Sequence, residues 1–250
     1  MARDLKQILV NRLKQVGAYD VGIADPNVGF EYAIEGGHPL DLWEQSRSVV
    51  VFAVACSSKA NNTYVGTYAP WKGNRNIGPV PQHIQSDDYG MDRLVRLFIE
   101  SITLKGMAFL QASGCNVSFS KPQLKLSAFE AGLGVYGCSG LIIHPVLGNR
   151  LRLGGILTDA VLEPDGGLEG FEPCENCDLC IKMCPAKAFD PTKRYPYSYL
   201  REKCTSKRAE IADKGLYCHN CSAVCPAGKF KDEELLCIKE AKSFFKRDRG

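Results

Sequence analysis

Apolar residues recur at helical spacing from the start of the chain. Leu5, Ile8, Leu9, Leu13 and Val16 form one stripe, Asp4 stands where a helix cap belongs, and Gly17 closes the run. Tyr19 to Ala24 then reads as a short strand, and Pro39 and Asp41 open the segment leading to the next one. Ser48-Val-Val-Val-Phe-Ala-Val-Ala55 is an unbroken apolar run, the pattern of a strand buried on both faces. Between about Ser57 and Tyr89 the periodicity vanishes and Gly, Pro, Asn and Tyr dominate. A loop of that length suits either a pocket wall, with Tyr64, Tyr68, Trp71 and His83 lining it, or a surface excursion with some buried aromatics.

Helical spacing returns from Met91 to Ser113, with Leu94, Leu97, Phe98, Leu104 and Ala108 on the inner side and Gly114 as the stop. Asn116 to Phe119 reads as a strand. Ser120-Lys-Pro-Gln123 has the form of a capping box and predicts a helix running from Leu124 to Ala131, ended by Gly132. Leu141-Ile-Ile143 and Leu151 to Thr158 read as two strands turned at Gly148-Asn149. The acidic, glycine-containing stretch from Pro164 to Pro173 predicts a boundary. Near the end, Leu235, Ile238, Ala241 and Phe245 mark an amphipathic helix that can pack back on what precedes it.

Composition narrows the class. A 250-residue chain with 45% hydrophobic and 24% charged residues has room for one larger and one smaller globular unit. A net charge of +3 gives no electrostatic case for nucleic acid. No apolar run approaches the ~20 residues of a membrane-spanning helix. Met1-Ala-Arg-Asp-Leu is neither a secretory signal nor a twin-arginine leader, which makes the cytoplasm the expected compartment. In that compartment twelve cysteines point to metal or redox chemistry, not to disulfide bridges.

Eight of those cysteines are patterned. Cys174-x2-Cys177-x2-Cys180-x3-Cys184-Pro185 is the run with which bacterial-type ferredoxins hold [4Fe–4S] clusters, and Cys218-x2-Cys221-x3-Cys225-Pro226 echoes it. Cys204 can supply the thiol missing from the second run. Two-residue gaps let a tightly turning backbone present three sulfurs to one cluster. The three-residue gap then starts a helical turn, and the fourth cysteine points to the neighbouring cluster. Carried over residue by residue, one cluster takes Cys174, Cys177, Cys180 and Cys225, and the other Cys184, Cys204, Cys218 and Cys221. Zinc would prefer two C-x2-C pairs across a longer loop, and leaves the rhythm and both Cys-Pro pairs unexplained. Of the remaining four, Cys56, Cys115 and Cys237 look like small core or helix-face residues, and Cys138 is either a ligand, a donor or buried.

Gly132-Leu-Gly134-Val-Tyr-Gly137 satisfies G-x-G-x-x-G, but a helix precedes it and a strand follows, the reverse of the dinucleotide-binding order. It reads as a close-approach bed for a large ligand or as a tight helix-to-strand connection. His144 and His219 have no partner visible in sequence and read as structural imidazoles.

Lys125-x-x-Ala128-x-x-Ala131-Gly-Leu-Gly134-x-x-Gly137, then Leu141-Ile-Ile143, Gly155-Ile-Leu-Thr-Asp159 and the two cysteine runs resemble the epoxyqueuosine reductase and reductive dehalogenase superfamily. The resemblance implies an α+β fold: a nitroreductase-like mixed sheet with helices over residues 1–165, a ferredoxin-like two-cluster domain over 166–230, and a C-terminal helix over 231–250. It further implies that the first domain binds cobalamin beside Gly132, Gly134, Tyr136, Gly137, Cys138 and Ser139, with flavin as the less favoured cofactor for such a scaffold. Electrons from reduced ferredoxin or flavodoxin would pass through both clusters to the corrinoid, which reduces an electrophilic substrate carrying a halogen, an epoxide or a similar leaving group. Tyr136 and Tyr68 are candidate proton donors. The chain departs from epoxyqueuosine reductases in three places. Ser118 and Ser120 stand where those carry an acidic residue, Cys138-Ser139 stands where they carry Lys-Asn, and the sequence ends at Gly250 where they continue into a tRNA-binding segment. Nucleic acid is accordingly not the expected partner. The rival reading is an electron carrier or activator that docks on a larger redox enzyme without a corrinoid.

Overall fold

Helix α1 (Ala2–Gln15) puts Leu9 and Leu13 fully in the core, while Ile8, at the edge of the predicted stripe, stays exposed. Asp4 lies inside the first turn and does not cap it, because the helix already begins at Ala2; there its carboxylate complements the positive end of the helix dipole. Gly17 ends the helix at φ 113°, with the Phe98 ring filling the space where a side chain would stand. The computed structural model describes residues 2–55, 69–70, 86–193, 198–213, 216–218 and 220–228. Tyr64, Tyr68, Trp71, His83, His219, Cys56, Cys237 and the expected C-terminal helix lie outside these.

The elements that follow are strand β1 (Asp20–Ala24), helix α2 (Pro39–Leu42), strand β2 (Ser48–Ala55), strand β3 (Ala69–Pro70), helix α3 (Ser86–Ala112), strand β4 (Val117–Ser118) and helix α4 (Leu124–Glu130). Next come strands β5 (Val135–Tyr136), β6 (Ile142–Ile143) and β7 (Leu151–Thr158), helices α5 (Leu179–Lys182) and α6 (Arg201–Asp213), strand β8 (Leu216–Tyr217) and helix α7 (Asn220–Ala223). The main sheet has the order β1-β2-β7-β4, and its pairings are antiparallel. β5 pairs with β6, and β3 pairs with β8, linking residues 69–70 to the cysteine-rich region.

All eight residues of β2 are buried, as the apolar run predicts. The reason is a layer of helix on each face. Gly22 of β1 and Gly155 of β7 are both register partners of Val51, so the three residues share one face. A side chain at Gly22 would meet the Ala131 carbonyl, and one at Gly155 would meet Leu124, so this glycine-lined face receives α4. Ile156 points the other way, against Gly106 of α3 and Leu13 of α1. At roughly 1.5–3 kcal/mol for each fully buried Val or Phe side chain, this strand is the main apolar contributor to the fold.

Three local expectations are corrected. The capping box at Ser120 does not form: α4 starts at Leu124, and its N-cap Gln123 makes no side-chain bond to the helix. Pro122 biases Lys121 away from helical angles, so no helical turn follows Ser120, and the helix begins at Leu124 as the sequence predicts. Ser120 instead donates its N–H to the Ser118 hydroxyl at 3.1 Å and its hydroxyl to the Leu42 carbonyl at 3.4 Å. The strands flanking Gly148-Asn149 are not partners, since β6 pairs with β5 and β7 with β2 and β4. The turn closes earlier, by reciprocal bonds between His144 and Gly148, because Gly148 (φ 61°) packs against the Ala227 carbonyl and leaves no room for a hairpin continuation. Helix α3 begins at Ser86, ahead of the predicted Met91; Ser86-Asp87-Asp88 is itself a helix-start signal that the loop-like composition before it obscured.

The stretch from Pro164 to Pro173 has no helix or strand, yet it is tied down. Asp165 accepts the Ile23 N–H at 2.8 Å and the Lys6 ammonium at 2.6 Å, and returns its own N–H to the Ile23 carbonyl at 2.9 Å. The outer edge of β1 is thereby covered.

Candidate functional site

Cys174 and Cys177 lie in a turn, and most of the other patterned cysteines sit on or beside a helix or strand. Cys180 lies on α5, Cys184 one residue past the Met183 cap of that helix, Cys204 on α6, Cys218 just after β8 and Cys221 on α7. None of the eight is fully exposed or fully buried. Their sulfurs sort by proximity into two groups. Cys174 neighbours Cys177; Cys180 neighbours Cys174 and Cys225; and Cys225 neighbours Cys174 and Cys177. Cys221 neighbours Cys218, Cys204 and Cys184, and Cys218 neighbours Cys184 and Cys204. The last cysteine of each run thus lies with the other run's cysteines, and Cys204 lies with the group that its own run is short of. Cys180 also neighbours Cys221, so the two groups adjoin.

Burial, and then the like charge of neighbouring sulfurs, pushes both Cys180 and Cys221 up to about 12. The same two causes raise Cys174, Cys218 and Cys225, where backbone amides partly offset them. Thiolates gathered this way are stable together only around a cation, and a metal that binds them displaces the protons. Backbone amides favour the thiolate form. Amide N–H groups point at sulfur from Cys138 to Cys174 (3.4 Å), from Ala188 to Cys184 (3.4 Å), and from Asn220, Ser222 and Ala227 to Cys218, Cys221 and Cys225. Among the described residues no three His, Cys, Asp or Glu side chains gather tightly enough for a single metal ion.

Three further residues stand at these groups. Tyr199, just ahead of α6, hydrogen-bonds with the Cys204 thiol; burial and this bond raise its hydroxyl well above the usual phenol range, so it stays protonated. Lys125 on α4 is exposed, and its ammonium reaches back to donate to the Gly140 carbonyl at 2.9 Å. Burial of that ammonium lowers its pKa while the sulfur of Cys221 opposes the change, which places a positive charge beside the second group. Arg150 plays the same electrostatic part towards Cys225. Tyr199 and Arg150 lie outside every motif; the signal for Tyr199 was its place five residues before Cys204, just ahead of α6.

In the glycine loop, Gly132 takes φ 68° at the end of α4, and Leu133 donates back to the Ala128 carbonyl. A side chain at Gly132 would meet the Gly166 carbonyl, one at Gly134 the Ile143 carbonyl, and one at Gly137 the Ile143 side chain and, at 3.3 Å, the Cys174 sulfur. The missing side chains are therefore replaced by the chain itself. Tyr136 is half-buried with its ring 5.5 Å from that of Phe129, and Ser139 is buried. Cys138 leaves the loop to stand against Cys174. His144 is a structural imidazole: its Nδ1 accepts from Val146 and Leu147, and its Nε2 faces Asp20. No described helix is long and apolar enough to cross a membrane.

No family model matches the chain. Its homologues are named epoxyqueuosine reductase and reductive dehalogenase. An epoxyqueuosine reductase of Listeria monocytogenes is 26% identical over 215 residues, 82% of this chain and 55% of that one. A tetrachloroethene reductive dehalogenase of Sulfurospirillum multivorans is 32% identical over 117 residues, 41% of this chain and 23% of that one. The chain spans about half or less of the length of these curated relatives. Among solved structures, an epoxyqueuosine reductase with an epoxyqueuosine-modified tRNA stem loop superposes with a TM-score of 0.63 at 21% identity, covering 95% of this chain and 68% of that one. A catabolic reductive dehalogenase in complex with 3-bromo-4-hydroxybenzoic acid gives 0.68 at 16% identity, covering 97% and 34%. The mixed helix-and-sheet fold is the one these structures have.

Proposed function

We propose that the chain is an iron–sulfur, cobalamin-dependent reductase of the epoxyqueuosine reductase and reductive dehalogenase type. Cys174, Cys177, Cys180 and Cys225 hold one [4Fe–4S] cluster, and Cys184, Cys204, Cys218 and Cys221 hold the other, in a ferredoxin-like unit over 166–230 that follows a corrinoid-binding unit over 1–165. The observation that carries the reading is the exchange of final cysteines between the two runs, which separates thiols in the manner of two-cluster ferredoxins. The adjoining of Cys180 and Cys221 supports electron transfer between the clusters.

A corrinoid, when bound, supplies the cleavage chemistry at the substrate's leaving group. Support for it comes from the relatives, one of whose solved structures is described in terms of B12-dependent dehalogenation. The glycine loop offers no cradle for it, since Gly132, Gly134 and Gly137 are packed by chain atoms. The chain's own contribution is better defined. Amides aimed at sulfur and the Lys125 charge stabilise reduced, more negative clusters.

The test is anaerobic purification followed by absorption spectroscopy, EPR and iron analysis, with added cobalamin. About eight irons per chain and corrinoid binding support the reductase. Iron–sulfur absorption without corrinoid binding supports the carrier reading, and flavin bands the flavin variant. Absence of cubane signals overturns all of these. Substrates for turnover are aryl and alkyl halides, an epoxide and, because one structural neighbour is solved with it, a modified tRNA stem loop.

A further inference from the structure

The first thiol group contains a fifth member that the cysteine runs do not include. Cys138 comes from the glycine loop, 36 residues before Cys174. Its amide donates to the Cys174 sulfur at 3.4 Å, and its thiol hydrogen-bonds with that sulfur. Its sulfur also neighbours that of Cys180. Cys138, Cys174 and Cys177 share the wall of one cavity of about 470 Å³. Gly137 makes the approach feasible, since even a bare methyl there would stand 2.8 Å from Ile143 and 3.3 Å from the Cys174 sulfur.

We propose that Cys138 is an exchangeable ligand of the first cluster, able to take the iron otherwise held by Cys174. The inference rests on the two-cluster reading above. The exchange is a ligand substitution: one Fe–S bond forms at Cys138, one breaks at Cys174, and the Cys138 thiol proton passes to the released Cys174 sulfur. No electron changes hands, and the two thiols lie within hydrogen-bond reach for the proton transfer. The swap would tie the cluster directly to the glycine loop, whose neighbour α4 packs on the main sheet.

The experiment compares wild type, Cys174→Ala, Cys138→Ala and the double variant, all purified anaerobically and reconstituted, by iron and sulfide analysis and by EPR of the reduced protein. The proposal expects about eight irons in wild type and in each single variant, and about four in the double variant. Loss of about four irons in Cys174→Ala alone, or its conversion to a three-iron signal, overturns it. In case truncation harms folding, Cys174→Ser keeps the volume. Its EPR spectrum should match wild type and change only when Cys138→Ala is added; a spectrum already altered in Cys174→Ser overturns the proposal. Wild-type protein without any cubane would instead overturn the two-cluster reading itself.

Discussion

His144 Nε2 lies 3.4 Å from Oδ2 of Asp20, and the other carboxylate oxygen of Asp20 lies 3.0 Å from the Lys14 ammonium. Burial alone would raise the Asp20 carboxyl, but the bonds from His144 and Lys14, the Lys14 charge and the Val21 N–H outweigh it and hold the group at about 2. A carboxyl depressed in the folded state stabilises the fold above its unfolded value near 4 and loses that contribution as pH falls towards 2. Acid unfolding followed by circular dichroism should therefore be less steep between pH 4 and 2 in Asp20→Asn. At neutral pH the variant should lose about 1 kcal/mol, a figure already discounted for the partial exposure of Asp20.

Exchange of the fourth cysteines predicts a pairing of phenotypes. Cys225→Ala and Cys177→Ala should damage the same cluster, although they lie in different runs; Cys184→Ala and Cys218→Ala should damage the other. Redox-poised EPR of the four variants checks this, and a pairing by run would contradict the assignment.

Lys125 places a positive charge beside Cys221. Lys125→Met keeps the length of the side chain and removes the charge. The reduction potential of the second cluster should fall by on the order of tens of millivolts, with the first changing less. Potentiometric EPR titration measures both at once.

Gly22 and Gly155 are silent in the motifs but set the distance of α4 from the sheet. Gly22→Ala would force a methyl against the Ala131 carbonyl, backbone that cannot swing aside. A loss of about 2–3 kcal/mol in chemical denaturation is expected, along with a shift of the glycine loop that follows α4.

Legibility followed the range of the physics involved. Val49 to Val54 could be read as a buried strand because burial leaves a local trace in composition, and the gathering of the patterned cysteines because their spacing is itself a local pattern. The Ser120 capping box failed because Pro122, two residues on, outweighed a favourable side chain. Gly148 appeared to announce a hairpin, whereas its backbone is shaped by contact with Ala227, nearly eighty residues away. The positions of Tyr199, Arg150 and Cys138 beside the gathered thiols depend on the same kind of distant contact. No window of neighbouring residues contains that information.

The grip of Asp165 on Ile23 also bears on how this protein can be divided. Cutting the chain before it, at the point where composition invites a domain boundary, would strip the covering from the outermost strand. Its amides and carbonyls would then be free to pair with another molecule. A fragment ending there should self-associate, and one carried on past Gly170 should stay monodisperse.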